Sequence, residues 1–322
     1  MTDIEKLLLE LLNIPSVSGQ EKAVGQFLVS ELKDFKVTKQ FVTKDRFNVI
    51  AKKGKSDVYI LVHMDTVPGV VPIKMTKDKI FGRGAIDNKG NIAGAIMAGK
   101  KLENINLIFT VGEEVDFAGA KEIINNKKSL ISERGRFIIM EPTEMKVMRG
   151  QRGLITAEII TRGTQMHSSL KFRKEESAVF NLVNALNIFY QKKWTAFNAL
   201  IIEGGEASNI IAPYAKAKIN TRPKDIQEYK KIVAFLKNFK KKNVEIKINE
   251  VIEPYFSPLV KEGGMVPFLS EMAFFKNSVL FGVGDIAVAH SANEYVLRKD
   301  LNELENNLLK LILKIKKINN DQ

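Results

Sequence analysis

The sequence predicts an α/β protein with a smaller α+β domain inserted into it. Short, wholly apolar runs alternate with helical patterns in the first part of the chain and again after Pro254, as in a sheet covered by helices. The stretch between them instead shows strands of alternating polarity and two amphipathic helices, which is typical of a compact α+β unit. We therefore place a discontinuous α/β domain at 1–150 and 255–322, and the inserted domain, of ferredoxin-like type, at 151–254.

The elements of the predicted α/β domain follow from apolar periodicity. Apolar residues at helical spacing predict helices, and short runs such as VYILV predict buried strands. The helix that begins at Asn88 is rich in Gly and Ala, so it can pack closely on a sheet. The predicted helices cover 4–12, 20–32, 88–102, 266–275 and 301–318, and the predicted strands cover 58–62, 106–111, 136–140 and 278–283.

The elements of the inserted domain follow from the same two periodicities. Residues 154–161 alternate like a half-exposed strand, and residues 176–189 form an amphipathic helical pattern. The remaining predicted elements are strands at 199–202, 215–220 and 244–249 and a second helix at 226–239.

The composition is that of an ordinary globular protein, with 45% hydrophobic and 27% charged residues. No apolar run approaches the roughly 20 residues that span a bilayer, so we expect no membrane segment. The chain has no cysteine, which excludes disulfides, thiolate nucleophiles and thiolate metal ligands. The first residues, MTDIEK, mix acidic and basic side chains and lead into a helical pattern, so we predict no signal peptide and a cytoplasmic location.

Lysine and arginine outnumber acidic residues by 50 to 37, which gives a net charge of +13. Such a charge could favour nucleic acid or an acidic partner. The lysines are dispersed, however, and the densest short run is only 240–242. The nearby Phe235 and Phe239 are four residues apart, as on the buried face of a helix. We interpret the charge as solvated lysine faces and expect no nucleic-acid binding.

Residues suited to metal binding fall at or after the ends of the predicted strands. Open α/β sheets build their sites at such strand ends. Imidazole and carboxylate groups together suit zinc, cobalt or manganese. The candidates are His63, Asp65, Asp87, Glu113, Glu114, Glu141 and His290.

Each candidate has an ordinary structural explanation when it is taken alone. A histidine after a strand often forms only hydrogen bonds, Asp87 could cap the helix that follows it, and the adjacent Glu113 and Glu114 could be solvated. Together they favour a metal site, because two neighbouring carboxylates at a strand end repel each other and need a cation or a proton. Asp65 follows His63 by two residues and could hold the imidazole ring in place.

Several motifs, in order along the chain, resemble those of one metallopeptidase family. They are LVHMDTVPG at 61–69, GRGAIDNKG at 82–90, VGEE at 111–114, EPT at 141–143, GD at 284–285 and AH at 289–290. The set is similar to that of the family containing acetylornithine deacetylase, succinyl-diaminopimelate desuccinylase and aminoacylase. The family fold is a zinc-binding α/β domain of exopeptidase type, interrupted by a lid or dimerisation domain. The resemblance implies the same architecture here.

The resemblance also implies two divalent metal ions, with zinc expected and cobalt or manganese as alternatives. One ion would be bound by His63 and Glu141. The other would be bound by Glu114 and His290, and Asp87 would bridge the two.

Catalysis would rest on a carboxylate that binds neither ion. By the resemblance, Glu113 is the general base, which takes a proton from water and passes it to the leaving amine. Asp65 would support the site beside His63. The peptide between Asp87 and Asn88 would be cis, as it is in relatives.

Three residues of the inserted domain match functional positions of the family. His167, in GTQMHSS at 163–169, would stabilise the oxyanion in the partner subunit's active site, which implies a homodimer. Asn209 and Arg222 would bind the carboxylate or acyl group of the substrate. The residues alone leave alternatives open, because His167 could be a surface or turn histidine and Arg222 could form a surface ion pair.

Two details bear on the subfamily that the chain resembles. The acidic residue before Pro142 is Glu, which goes with deacylases and carboxypeptidases, and the stretch 68–82 is too short for the insertion common in desuccinylases. The chain is thus similar to deacylases that release lysine or ornithine in amino-acid biosynthesis, some of which act on an acidic amino-group carrier protein. The alternatives are a metal-dependent di- or tripeptidase or carboxypeptidase, and a non-catalytic relative that binds amino acids. The intact Glu113 argues against the last.

Overall fold

The computed structural model describes residues 1–126 and 130–318, which form two compact units. The first unit comprises Met1–Gly150, Phe256–Met265 and the chain from Ser270 onward, and the second comprises Gln151–Tyr255 with Val266–Leu269. The mixed α/β architecture with an interrupting α+β unit is the predicted fold class.

The chain up to Gly150 supplies most of the first unit. Its helices, over the described residues, are α1 (Asp3–Leu12), α2 (Lys22–Glu31), α3 (Lys89–Lys100) and α4 (Ala118–Asn125). Its strands are β1 (Lys36–Phe41), β2 (Phe47–Lys53), β3 (Val58–His63), β4 (Lys74–Met75), β5 (Lys79–Phe81), β6 (Ile105–Thr110), β7 (Arg136–Met140) and β8 (Met148–Gln151).

The second unit is the ferredoxin-like domain. Its elements are β9 (Leu154–Arg162), β10 (Met166–His167), α5 (Ala178–Tyr190), β11 (Asn198–Gly204), β12 (Ile210–Ile211), β13 (Tyr214–Thr221), α6 (Ile226–Asn238) and β14 (Val244–Ile252). Four antiparallel strands lie in the order β11-β13-β9-β14, and β10 pairs with β12 in a separate ribbon. The burial of β14 alternates along its length, as expected for a strand with one face on a core.

An aromatic cluster fills the core of the second unit. The fully buried ring of Phe189 lies 5.3 Å from the ring of Phe235 and 5.0 Å from that of Phe239. Trp194 packs against the same ring of Phe189, at 5.6 Å. Phe235 lies on the inner face of α6, as predicted, whereas Phe239 follows the end of that helix in an extended conformation and packs into the same core.

The chain from Phe256 onward, apart from Val266–Leu269, completes the first unit. Its elements are β15 (Tyr255–Phe256), β16 (Gly264–Val266), β17 (Ser278–Phe281), β18 (Tyr295–Leu297) and α7 (Arg298–Lys317), with single 3-10 turns at Glu271–Ala273 and Ile286–Val288. The large sheet has the order β1-β2-β6-β3-β7-β17-β8-β15. Its central strands β6, β3, β7 and β17 run parallel and are buried throughout, which explains their continuous apolar sequences.

Two helices pack closely beside this sheet. Helix α7 buries a stripe at helical spacing that includes Leu301, Leu304 and Leu308. Helix α3 is buried over most of its length, and a Cβ placed on Gly94 would lie 2.3 Å from a methyl carbon of Leu304. Glycine at 94 is therefore needed for the close approach of α3 and α7. Over the described residues, no helix is both long and apolar enough to cross a membrane.

One predicted helix is wrong. Residues 266–275 do not form a helix: Val266 ends β16, and only the short turn Glu271–Ala273 follows. Pro267 lacks a backbone N–H, and the Ser270 side chain accepts a hydrogen bond from Met272 N, which begins a new turn. The hairpin of β1 with β2 and the helix α4 were not predicted, because their sequences mix polar and apolar residues without a clear period.

Candidate metal centre

The parallel strands of the large sheet bring the candidate residues to one edge. His63 is the last residue of β3, and Glu141 directly follows β7. Beyond β6 the chain turns at Gly112, whose φ of +76° suits glycine, and this turn presents Glu113 and Glu114. Since parallel strands end at the same edge, the side chains come from distant parts of the sequence to one place.

The first cluster consists of His63, Asp87 and Glu141, all of them buried. One potential ligand atom from each lies within 4.8 Å of the others. Nε2 of His63 is 3.0 Å from Oδ1 of Asp87. Oε1 of Glu141 is buried and has no hydrogen-bond partner among the described residues, which is costly for a carboxylate unless a cation binds there.

The second cluster consists of Asp87, Glu114 and His290, again with ligand atoms within 4.8 Å of one another. Nε2 of His290 lies 3.1 Å from Oδ2 of Asp87 and 3.1 Å from Oε1 of Glu114. Asp87 therefore belongs to both clusters and turns one oxygen towards each. A carboxylate shared in this way is suited to bridge two cations.

Asp65 joins neither cluster but holds parts of both. Its Oδ1 accepts a hydrogen bond from the backbone N–H of Glu113 at 3.1 Å, and its Oδ2 accepts one from that of Glu114 at 3.2 Å. Ser18 Oγ also donates to Oδ2, at 2.7 Å. Asp65 thus ties the turn after β6 to the end of β3, where it also contacts His63.

The electrostatics of the clusters are those of a cation site. Burial, together with neighbouring carboxylates, raises the pKa of Glu113 and of Glu141 well above the usual range. The carboxylates of Asp87 and Glu114, which accept hydrogen bonds from His290, raise the pKa of His290 to about 10. So many carboxylates can share this space only with protons or cations, and the nitrogen and oxygen donors fit zinc, cobalt or manganese.

The loop before α3 fixes the position of Asp87. The peptide bond between Asp87 and Asn88 is cis, as the family resemblance implies. The Asn88 side chain donates to Met140 O at 2.8 Å and accepts from the Asn91 amide at 2.7 Å. Asn88 therefore links this loop to the end of β7, next to Glu141.

His167 and Asn209 lie side by side in the second unit. His167 pairs with Ile210 in the ribbon of β10 and β12, and the backbone N–H of Ser168 donates to Asn209 O at 2.9 Å. The His167 side chain is exposed, and its Nδ1 lies 2.8 Å from Ser169 Oγ and 3.2 Å from Ser169 N. These contacts leave Nε2 free to meet a ligand.

Arg222 follows β13 in the second unit. Burial lowers the pKa of its guanidinium, and its Nη1 is buried without a hydrogen-bond partner among the described residues. No ion pair to Arg222 occurs within 1–126 and 130–318, so the surface ion pair considered from the sequence is not formed there.

Glu271 is a buried acid near the clusters that sequence reasoning missed. Glu271 is fully buried, and its Oε2 accepts a hydrogen bond from Thr110 Oγ1 at 2.9 Å. Burial raises its pKa to about 7. Thr110 pairs with His63 in the sheet register, which places Glu271 close to the candidate ligands. A charged residue in the apolar stretch 266–275 was the available signal.

Comparisons with known proteins identify the family. The model of Peptidase family M20/M25/M40 matches residues 59–314. A peptidase M20 domain-containing protein of Schizosaccharomyces pombe is 31% identical, over 94% of this chain and 82% of that protein. A [LysW]-lysine/[LysW]-ornithine hydrolase of Sulfurisphaera tokodaii is 28% identical, over 91% of this chain and 90% of that protein. A tripeptidase structure from Staphylococcus aureus has a TM-score of 0.84 at 20% identity, covering 98% of both chains.

The fold and the clustered imidazoles and carboxylates define a metal-dependent hydrolase of amide bonds. The chain belongs to Peptidase family M20/M25/M40. The resemblance predicted from the motifs is confirmed, and the substrate is a peptide or an N-acyl amino acid.

Proposed function

We propose that the chain removes the acyl group from an N-acyl amino acid, with two divalent ions and Glu113 as the general base. Asp87 carries this proposal, because it belongs to both clusters of potential metal ligands. Glu113 belongs to neither cluster and lies beside them. One ion would be held by His63, Asp87 and Glu141. The other would be held by Asp87, Glu114 and His290, and zinc is the metal that we propose for both.

The chemistry requires a proton to move from water to the leaving nitrogen. Bound ions would lower the pKa of water and polarise the amide carbonyl. Glu113 takes the proton from the attacking water, whose oxygen bonds to the acyl carbon. The protonated Glu113 then gives that proton to the amine as the C–N bond breaks. Its proximity to both clusters, through the adjacent Glu114, supports this role.

The second unit would bind the substrate and pair two copies of the chain. Because Ser169 N–H donates to Nδ1 of His167, the ring hydrogen lies on Nε2 and can be donated to an oxyanion. The unpartnered Nη1 of Arg222 would bind a carboxylate oxygen, with Asn209 beside His167 as a further polar contact.

An exposed apolar surface supports the homodimer. Strand β11 is at one edge of the four-stranded sheet. Along it Leu200, Ile201 and Ile202 are exposed, and on the adjacent helix α5 Phe180 and Val183 are exposed. An apolar edge strand is a ready template for pairing with a second copy.

The proposed substrate class is acyl-lysine or acyl-ornithine, in amino-acid biosynthesis in the cytoplasm. The similarity to the Sulfurisphaera hydrolase supports it, and the net charge of +13 would suit an acidic carrier protein. Turnover of a carrier-linked substrate should then have a kcat/KM that falls as salt rises. A salt-insensitive kcat/KM would argue against the carrier.

A di- or tripeptidase is the second candidate, supported by the likeness to the Staphylococcus tripeptidase. The deciding experiment compares N-acetyl-lysine and N-acetyl-ornithine with dipeptides and tripeptides, each with zinc, cobalt and manganese. A clear preference for the acetylated amino acids supports deacylation, whereas a preference for peptides overturns it.

The general base is tested by Glu113→Gln. The variant should lose about 10³-fold or more in kcat while it retains both ions, because only the proton transfer is removed. Glu103→Gln, on an exposed position of the same unit, is the control and should keep full activity. Inactive wild-type protein with full metal content would instead favour a non-catalytic binding protein.

A further inference from the structure

Arg83 and Glu294 form a buried ion pair between the loops that carry Asp87 and His290. Nη1 of Arg83 lies 2.8 Å from Oε2 of Glu294. The side chain of Glu294 is 1% exposed and that of Arg83 is 13% exposed. Neither residue belongs to the two clusters of potential metal ligands.

The other oxygen of Glu294 holds the backbone at Asp87. Oε1 accepts hydrogen bonds from Ile86 N at 3.1 Å and from Asp87 N at 3.3 Å. These bonds fix the chain at the residue that belongs to both clusters. The backbone oxygen of Glu294 also accepts from Gly82 N at 3.2 Å, so the two loops are joined twice.

Arg83 connects this pair to two further segments. Its Nη2 donates to Ser291 O at 3.2 Å, and its Nε donates to Gly69 O at 3.3 Å. Ser291 directly follows His290, whose φ of +59° is in the left-handed region, costly for a residue other than glycine. Arg83 thus restrains the chain next to a ligand candidate that has an unfavourable backbone.

The pair is poorly explained as a source of stability. A buried ion pair is often no better for folding than apolar side chains of similar volume, because both charges lose their hydration. Its hydrogen bonds lead instead to the backbone beside Asp87 and His290. Groups that orient metal ligands in this way commonly change metal affinity 10- to 100-fold when they are removed.

We propose that Arg83 and Glu294 are positioning residues that set the relative placement of Asp87 and His290, and with it the affinity of the second cluster for its ion. This proposal rests on the two-ion site proposed above. Glu294 holds the shared Asp87, so its loss affects both clusters. Arg83 holds the loop of His290, so its loss affects mainly the cluster of Asp87, Glu114 and His290.

The test measures metal affinity rather than turnover. Metal-free wild type and the variants Arg83→Met, Arg83→Lys and Glu294→Ala are titrated with Co²⁺ against a competing chelator, with visible absorption and calorimetry as readouts. Arg83→Met should weaken one of two ions about 10- to 100-fold and the other by less than about threefold. Arg83→Lys keeps the charge but loses the planar guanidinium, so its affinity for the weakened ion should lie between those of Arg83→Met and the wild type. Glu294→Ala should weaken both ions.

Arg298→Met is the matched control. It breaks a similar ion pair, between Arg298 and the buried Glu5, that contacts none of the ligand candidates. It should lower Tm and leave both Co²⁺ affinities unchanged.

Each remaining outcome overturns the inference. If Arg83→Met and Arg83→Lys lower Tm as Arg298→Met does but bind two ions as tightly as wild type, the pair is merely structural. If Glu294→Ala folds and keeps both affinities, Asp87 does not depend on it. If the wild-type protein binds fewer than two ions, the proposed two-ion function itself is wrong. This result is distinct from failure of the positioning role, because it is seen in the wild type alone, without any variant.

Discussion

His63 places its Nδ1 3.0 Å from the backbone oxygen of Asp65. A carbonyl oxygen only accepts hydrogen bonds, so Nδ1 carries a hydrogen, and in the neutral ring the lone pair is on Nε2. Nε2 is the atom that lies 3.0 Å from Asp87. The local geometry at the end of β3 therefore selects the nitrogen that can bind a cation.

Asp65→Asn should impair the site without removing a proposed ligand. An amide nitrogen cannot accept a hydrogen bond, so the N–H of Glu113 or Glu114 loses its acceptor. We expect kcat to fall about 10- to 100-fold and metal affinity to weaken by a similar factor. Enzyme assays and chelator competition measure both. Asp45→Asn, which breaks an exposed pair with Lys22, is the control, and equal behaviour of the two variants would contradict the prediction.

His290→Ala should reduce the metal content from two ions per chain to one. It removes the only imidazole of the second cluster and leaves His63, Asp87 and Glu141 in place. Elemental analysis after dialysis against a weak chelator gives the stoichiometry. Retention of two tightly bound ions would show that His290 is not a ligand.

Glu5→Gln should destabilise the protein in a pH-dependent way. Hydrogen bonds from Arg298 lower the pKa of the buried Glu5 to about 2, against an ordinary value of 4.5. A lowered native pKa stabilises the fold above pH 4.5, and this contribution is lost as pH falls towards 2. We expect a loss of about 2 kcal/mol in unfolding free energy at pH 7 that shrinks between pH 5 and pH 3.

Chemical denaturation across that pH range measures the effect at Glu5. Asp3→Asn, at the exposed pair of Asp3 with Lys6, should change stability by less than about 0.5 kcal/mol. A Glu5→Gln deficit that stays constant down to pH 3 would exclude the ion pair as its cause.

Gly94→Ala should destabilise the first unit by about 1–3 kcal/mol, since the added methyl overlaps Leu304. Leu304→Ala creates space at the same point. The double variant should therefore be more stable than the sum of the two single losses predicts. Denaturation of the wild type, the two single variants and the double variant gives the four unfolding free energies of the cycle. If the two single losses add strictly in the double variant, the helices move apart to accommodate the methyl group instead.

Val183→Glu and Ile201→Lys should convert the proposed dimer to a monomer. Each places a charge on the exposed apolar surface of α5 and β11. Analytical ultracentrifugation measures the state of each variant. Leu313→Lys, at an exposed leucine of α7 in the first unit, should remain dimeric. A monomeric wild type, or dimeric variants, would contradict the proposed interface.

The sequence predicted structure best for the central strands, where burial on both faces determines the choice of residues. The continuous apolar runs that end at His63, Thr110 and Met140 predicted buried parallel strands, because burial on both faces leaves no polar position. The ligand candidates stood at their ends. Their convergence could be inferred from sheet polarity alone.

Contacts between distant segments were beyond sequence reasoning. Glu294 forms an ion pair with Arg83, and nothing in the sequence indicates this pairing. Glu271 was assigned to a helix, because the apolar residues of 266–275 fit a helical period. The break at Pro267 and the strand pairing of Val266 depend on tertiary contacts, which prevailed over the local pattern.

The parallel pairing of the central strands also determines the stage of folding at which the metal site can form. His63, Asp87, Glu141 and His290 are far apart in the chain, and strands β3, β6, β7 and β17 must all be in register before these residues meet. Closing such long loops has an entropic cost and is slow, so we expect the pairing to be completed late in folding. High-affinity metal capture should accordingly report the last stage of assembly, and a nascent chain that lacks β17 has no complete site for an ion.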